Sequence, residues 1–179
     1  RLVYRGQKGS LLDEEALKNP KTTYALTKLV CEQTLEIYKD VFNINYDVLR
    51  ICIPYGNLVN NDYSYGTLGF FVNRAKNNEA ITIYGDGKLR RTFTHIEDIC
   101  EVFILTAQKN RLSNSTYNVG GHGYSLLEVA QKVAVKYNAK IEFIEWPRIA
   151  STIESGDTVF SSNKLDFYLN FKKYKKIKI

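Results

Sequence analysis

No stretch of this 179-residue chain approaches 18 consecutive apolar residues, so a membrane-spanning helix is not expected. No methionine stands at position 1, and Arg1-Leu2-Val3-Tyr4 leads directly into a polar loop. A signal peptide is therefore not expected, and residue 1 is not read as the biological start. Cysteine is scarce. Cys31, Cys52 and Cys100 are odd in number, far apart and set among apolar neighbours, which fits buried thiols in a reducing, cytoplasmic setting better than a disulfide frame. The two histidines, His95 and His122, have no second ligand at metal spacing, so no metal site is expected.

What is present argues for a folded core. Hydrophobic residues make up 44% of the chain and aromatics 13%, too many for a disordered segment. The net charge of +6 raises the question of nucleic acid. However, Lys172, Lys173, Lys175, Lys176 and Lys178 supply five of those charges within the last eight residues, leaving the body close to neutral. No basic stripe interleaved with aromatics remains, so nucleic acid is not an expected partner and the lysine tail reads as a solvated end.

Periodicity gives alternating helices and short strands, hence an α/β fold. Residues 1–4 read as a strand end and 6–19 as a polar loop, with Asn19-Pro20 punctuating the start of a helix from Thr23 to about Val41. Strands are expected over 45–53, 81–84, 116–119 and 141–144, and extended chain over 90–94. Pro54-Tyr55-Gly56-Asn57 stops the first of these, and 57–66 reads as a long loop. Helices are expected over 66–77, with Phe70, Phe71 and Ala75 inward, and over 96–109, with Ile96, Ile99, Cys100, Phe103 and Ala107 on one side. Ser125 and Glu128 form a capping box for a helix reaching about Tyr137, and 163–169 is a last short helix. Gly120-Gly121-His122-Gly123 reads as a plain loop.

One stretch carries chemistry. In Thr23-Tyr24-Ala25-Leu26-Thr27-Lys28, tyrosine and lysine are four positions apart, one turn apart on one helix face. That face continues through Cys31, Leu35 and Tyr38 and is expected to be buried beyond its polar start. An ammonium beside a phenol favours the phenolate, and a phenol so tuned can exchange a proton with a sugar hydroxyl. Taken alone, the same pair is also what an ordinary helix surface shows.

Four segments together resemble the nucleotide-sugar epimerase/dehydratase family, the extended short-chain dehydrogenases. Tyr24-Ala-Leu-Thr-Lys28 resembles its YxxxK, and Leu49-Arg50-Ile-Cys-Ile-Pro-Tyr-Gly56 its strand ending in a YG turn. Ile83-Tyr84-Gly85-Asp86-Gly87 through Arg91-Thr92-Phe93 and Asp98 is similar to its GDG…RDF…D segment. Tyr117-Asn118-Val119-Gly120 with Ser125-Leu126-Leu127-Glu128 is similar to its YNVG…S…E segment. The resemblance covers residues 20–130. It implies the C-terminal part of a Rossmann-type parallel sheet over 1–56 and a smaller α/β substrate-binding domain over 57–179, with 92–110 returning to the first. The family's glycine-rich first turn, which seats a pyrophosphate on a helix N-terminus, has no counterpart here. Its catalytic Ser/Thr would fall just before Arg1, so the chain reads as about half of an active site, inactive alone.

What the resemblance implies for the chemistry is an NAD (or NADP) cofactor, a nucleotide-linked sugar as substrate, and a homodimer formed through the Tyr24 helix and the helix upstream of it. Tyr24 would be the acid/base, and Lys28 would assist it and bond the nicotinamide ribose. Arg91 would hold the substrate diphosphate, Ile83 and Tyr84 would pack on the base, Thr67 and Leu68 would line the pocket, and Asp157 would meet the nucleotide ribose. Three departures stand out. Ile53 replaces the family's RxxN amide, and Glu154 stands where an arginine often precedes the late GD, Arg148 being the nearest substitute. Arg1-Leu2 replaces an Asp-Glu pair of the 4,6-dehydratases, which argues against water loss. Epimerisation through a transient ketone, in the manner of UDP-glucose 4-epimerase, is the first expectation. An NADPH-dependent 4-keto-sugar reductase is the second, and a non-catalytic nucleotide-sugar-binding module the third.

Overall fold

Thr22 opens the first helix, α1 (Thr23–Phe42), by accepting the Ala25 N–H at 3.1 Å, and Asn43 closes it with φ 54°. The computed structural model describes residues 2–6, 8, 9, 11–57, 66–109, 112–171 and 173–179. Asparagine in the left-handed region also ends α4 (Leu126–Tyr137) and α6 (Asn163–Leu169), where its short amide tolerates a conformation most side chains avoid. The remaining helices are α2 (Gly66–Lys76), α3 (Ile96–Ala107) and α5 (Arg148–Ile153).

The fold is α/β and its strand pairs are mostly parallel. β2 (Asp47–Arg50) runs parallel to β6 (Ser115–Asn118), and β3 (Ile53–Tyr55) parallel to β5 (Arg90–His95). β4 (Ile81–Tyr84) pairs with β8 (Ile141–Ile144), and β1 (Leu11–Leu12) with β9 (Val159–Phe160), again parallel. Among the strands of the described residues, β7 (His122–Ser125) alone is antiparallel, against β5.

Among the described residues, three apolar clusters hold these elements together. The largest joins Leu68, Phe71, Val72 and Ala75 of α2 to Val129, Ala130 and Val133 of α4 over Ile81, Ile83 and Phe93. A second gathers Val102, Tyr117, Val119, Leu165 and Leu169. A third, with Val3, Tyr4, Leu12, Cys52 and Phe160, lies under the start of α1. The Ser125–Glu128 capping box is present as expected: the serine hydroxyl accepts the Glu128 N–H at 3.0 Å and the Glu128 carboxylate takes the Ser125 N–H at 2.7 Å. That backbone N–H, with Arg90 in support, holds the Glu128 carboxyl below its ordinary range.

Several expectations are corrected. The strand expected over 45–53 is two strands, because the chain passes at Ile51–Cys52 from pairing with β6 to pairing with β5. The plain loop at 120–123 instead runs into β7, an edge formed by tertiary pairing with β5 rather than by local propensity. β1 and β9 each hold two residues, too short to signal in sequence, and α5 was likewise not expected. Residues 2–4 form no strand, Tyr4 making only an isolated bridge to Lys18. Of the loop expected over 57–66, residues 58–65 lie outside the described residues, as do Arg1 and Lys172.

Helix faces agree with expectation in part: Phe71, Ala75 and Ile99 are buried as expected. Phe70 and Phe103 are half exposed, and the buried line of α3 is Asp98, Ile99, Val102 and Thr106. On α1 only Ala25 is buried, with Leu29, Glu32 and Leu35 partly covered, whereas Cys31 and Tyr38 are exposed. Cys52 is buried and Cys100 intermediate, so the three thiols do not share one environment. The tail is no solvated end either. Phe171 and Ile177 are buried, the Lys175 N–H donates to Asp98 at 2.7 Å, and Tyr55 donates to the Lys175 carbonyl at 2.9 Å. The side chains of Lys173, Lys175, Lys176 and Lys178 lie exposed, their stems spanning out from a docked backbone.

Candidate active site

The first turn of α1 leaves Tyr24 63% exposed, while Ala25 beside it is fully buried against the body. The helix is thereby anchored on Ala25 and Leu29, and the neighbouring line of Tyr24 and Lys28 comes to its edge. Lys28 Nζ lies 5.4 Å from the centre of the Tyr24 ring, so the two share one face as the spacing implies. A cavity of about 390 Å³ adjoins them, lined also by Leu2, Val3, Glu32 and Leu49.

Lys21, just before that helix, donates to the Glu154 carbonyl at 2.9 Å. This contact joins the start of α1 to the turn over 154–157, against which Arg91 is folded. Arg91 is 2% exposed. Its Nη2 donates to Glu154 Oε1 at 2.6 Å, and its Nη1 donates to the Gly156 and Arg90 carbonyls. Asp157, also buried, accepts the Arg90 N–H at 2.9 Å and so fixes the turn to β5. Gly6 lies so close above the turn that a Cβ there would overlap the Ser155 and Asp157 carbonyls.

The other expected residues divide by strand and helix alternation. Ile83 and Leu68 are buried in the largest core cluster, 2% and 1% exposed, so their side chains serve packing. Tyr84 points the other way, 40% exposed, and Thr67 is partly exposed at the start of α2. Beside Tyr84 stands a residue that the sequence reading missed. Trp146, the sole tryptophan, packs its ring 5.2 Å from that of Tyr84 at 39° and covers Gly85. Its only sequence signal was its rarity, directly after β8. Arg148, the suggested substitute for the missing arginine, is exposed on α5. Among the described residues no group of three or more His, Cys, Asp or Glu could hold a metal, and no helix is long and apolar enough to cross a membrane.

A dinucleotide would find part of what it needs on this chain. Lys28 presents an ammonium and Tyr24 a hydroxyl on one open face beside a cavity, donors suited to ribose hydroxyls and a carboxamide-bearing ring. Nothing in the described residues supplies a glycine-rich pyrophosphate turn ahead of a helix.

Comparison with known proteins shows which family the chain resembles. The chain is 30% identical over 116 residues to an uncharacterised UDP-glucose epimerase, YtcB, of Bacillus subtilis, a match covering 65% of this chain and 36% of that protein. It is 28% identical over 144 residues to the CDP-paratose 2-epimerase of Salmonella typhi, covering 75% of this chain and 43% of that one. The relatives also include a dTDP-4-dehydro-6-deoxyglucose reductase of Escherichia coli at 25% identity, covering 75% of this chain and 43% of that one. The chain thus spans well under half the length of these curated relatives. Among solved structures, Pal from Bacillus thuringiensis superposes with a TM-score of 0.84 at 21% identity, over 99% of this chain and 56% of that one. UDP-glucuronic acid 4-epimerase from Bacillus cereus, solved with UDP-glucuronic acid and NAD, does so with a TM-score of 0.79 at 22% identity, over 95% and 53%. The sequence model of the NAD dependent epimerase/dehydratase family matches residues 4–120, about two thirds of the chain. With the YG strand, the Tyr24 helix and the β5 segment all inside that match, the chain belongs to the NAD-dependent epimerase/dehydratase family.

Proposed function

We propose that this chain supplies the proton-transfer and substrate-binding half of an enzyme that epimerises a nucleotide-linked sugar through a transient ketone. The observation that carries this reading is the Tyr24–Lys28 pair, exposed on one helix face beside a cavity and tied through Lys21 to the turn that holds Arg91. Tyr24 takes the proton from the sugar hydroxyl, and the Lys28 ammonium stabilises the charge left on the phenol oxygen. NAD, when bound, would supply the hydride acceptor and donor for the carbon that bears that hydroxyl. Tyr24 gives the proton back to the oxygen once the ketone presents its other face, and the epimer results. Domain 1–56 holds the cofactor side and most of 57–179 the substrate side.

The nucleotide base is assigned to the Tyr84–Trp146 pair, in which the exposed Tyr84 ring and the half-buried Trp146 ring offer a π surface. Trp146 is the only tryptophan, so nucleotide binding is expected to quench the protein's indole fluorescence. Trp146→Ala is expected to weaken nucleotide affinity by about 1–3 kcal/mol, the usual worth of base–aromatic stacking. Unchanged affinity in a folded variant would place the base elsewhere. A homodimer through α1 belongs to the same reading and is supported by its exposed Leu26, Val30, Ile37, Val41 and Phe42. Equilibrium sedimentation of the complete protein as a monomer at micromolar concentration would remove that part.

The test of function is turnover by the complete protein on UDP-, GDP-, CDP- and dTDP-sugars. Interconversion of 4-epimers without net NAD reduction is the expected result. Net consumption of NADPH on a 4-keto sugar would make the protein a reductase, and no turnover of any nucleotide sugar would end the reading.

A further inference from the structure

The Glu154 carboxylate sits where an anion-binding site would hold a ligand. Its Oε1 accepts the Arg91 guanidinium at 2.6 Å, the Ser155 N–H at 2.8 Å and the Gly156 N–H at 3.1 Å. Two consecutive backbone N–H groups converge on one oxygen, forming a small anion-binding concavity in a turn that Gly156 continues at φ +84°. Arg91 adds a guanidinium held in place by the Gly156 and Arg90 carbonyls. Guanidinium and paired N–H groups are the donor set that takes a phosphoryl oxygen. Here a side chain of the same turn takes them, with Arg91 2% and Glu154 19% exposed.

We propose that Glu154 is a specificity-determining residue that fills, from within the chain, the anion cradle of Arg91 and the Ser155 and Gly156 N–H groups, so that a pyrophosphate enters only by displacing it. The proposal rests on the reading of Arg91 as the diphosphate side of the substrate pocket. With the carboxylate in place the cradle is electrically neutral, and an incoming diphosphate meets a like charge before it meets the guanidinium. When Glu154 rotates outward, the same donors become available without rearrangement of β5, since Asp157 holds the turn to the Arg90 backbone independently. Glu154 therefore sets how much a diphosphate contributes to substrate affinity, and shifts recognition toward the base and sugar.

The experiment is calorimetric titration of the full chain with inorganic pyrophosphate and with UDP, GDP, CDP and dTDP, in wild type, Glu154→Gln, Glu154→Ala and Glu154→Gln combined with Arg91→Gln. Glutamine keeps an acceptor for the two N–H groups and removes only the charge, so it covers the case in which alanine does not fold. Both single variants are expected to bind pyrophosphate and at least one nucleoside diphosphate roughly tenfold tighter than wild type, and the gain is expected to vanish with Arg91→Gln. A folded Glu154→Gln variant with no gain for pyrophosphate would overturn the proposal. If nucleoside diphosphates bind wild type and variant equally well, the proposal falls and the nucleotide-sugar reading stands. If the variants gain pyrophosphate affinity while no nucleoside diphosphate binds any form, the cradle is confirmed and the nucleotide-sugar reading falls.

Discussion

Replacing Tyr24 by phenylalanine is expected to lower turnover of the complete enzyme by about 10²–10⁴-fold, the usual contribution of a placed acid/base. The change removes one oxygen from a side chain that is 63% exposed, so it leaves no cavity and exposes no buried partner. Stability and substrate affinity should stay close to wild type, and the loss should fall on kcat with KM little changed. Lys28→Ala tests the same unit from the other side. If Lys28 acts through the phenol whose ring centre lies 5.4 Å from its ammonium, adding Lys28→Ala to the Tyr24 variant costs little more, because the two do one job. Full turnover by the phenylalanine variant would remove Tyr24 from the chemistry.

The largest effect on stability is expected at Arg50, far from Tyr24 in sequence but bound to the same helix. Arg50 is 8% exposed at the end of β2, and its guanidinium grips Glu32 of α1 through two bonds, at 2.9 and 2.5 Å. It also donates to the Tyr4 hydroxyl at 2.5 Å, and that hydroxyl donates on to Asn118 at 2.7 Å. Asn118 in turn donates its amide nitrogen to the Leu12 carbonyl and its backbone N–H to Glu14. Burial opposes the arginine's charge, but Glu32 and Tyr4 more than offset it and hold its pKa above the ordinary guanidinium value. Burial likewise pushes the Tyr4 phenol up, with Arg50 drawing it partly back.

Removing one member of such a network leaves its partners desolvated without their counter-charge. Arg50→Ala is therefore expected to cost about 3–5 kcal/mol, read as a fall of roughly 6–20 °C in Tm. Glu32 lies one turn beyond Lys28 on α1, so the pair also pins the helix that bears the acid/base. Urea unfolding of wild type, Arg50→Ala and Glu32→Gln would check this, the glutamine variant losing less because it keeps an acceptor. A cost under about 1 kcal/mol for Arg50→Ala would mean that the network does not hold α1 to β2.

Much of this molecule was legible before any coordinate. Helices α1, α2, α3, α4 and α6 fell within a residue or two of their expected bounds, because capping residues and apolar spacing act locally. Which side of each helix would be covered was less legible. Apolar residues surround much of α1, and of the stripe chosen from spacing only Leu35 is partly covered, while Cys31 and Tyr38 are exposed and the line through Ala25, Leu29 and Glu32 turns inward, Leu29 packing on the third core cluster. In α3 the covered line included Asp98 and Thr106, polar residues that no hydrophobic pattern selects. Asp98 is buried because it receives the Lys175 N–H from a tail 77 residues away. The same tail looked solvated for its lysines, yet docks through Phe171, just ahead of them, and through Tyr174 and Ile177 between them.

By itself the sequence determined the α/β class, the tyrosine–lysine pair one turn apart, and the presence of a glutamate three residues ahead of Asp157. Each depends on residues close in the chain or on type at a known position. Only the tertiary structure decided that Arg91 and Glu154, 63 residues apart, form a buried ion pair, and that Trp146 stands beside Tyr84. Those outcomes turn on which surfaces of β5, β4 and the late loop face one another. That choice is made by burial of the whole core, and no local spacing encodes it.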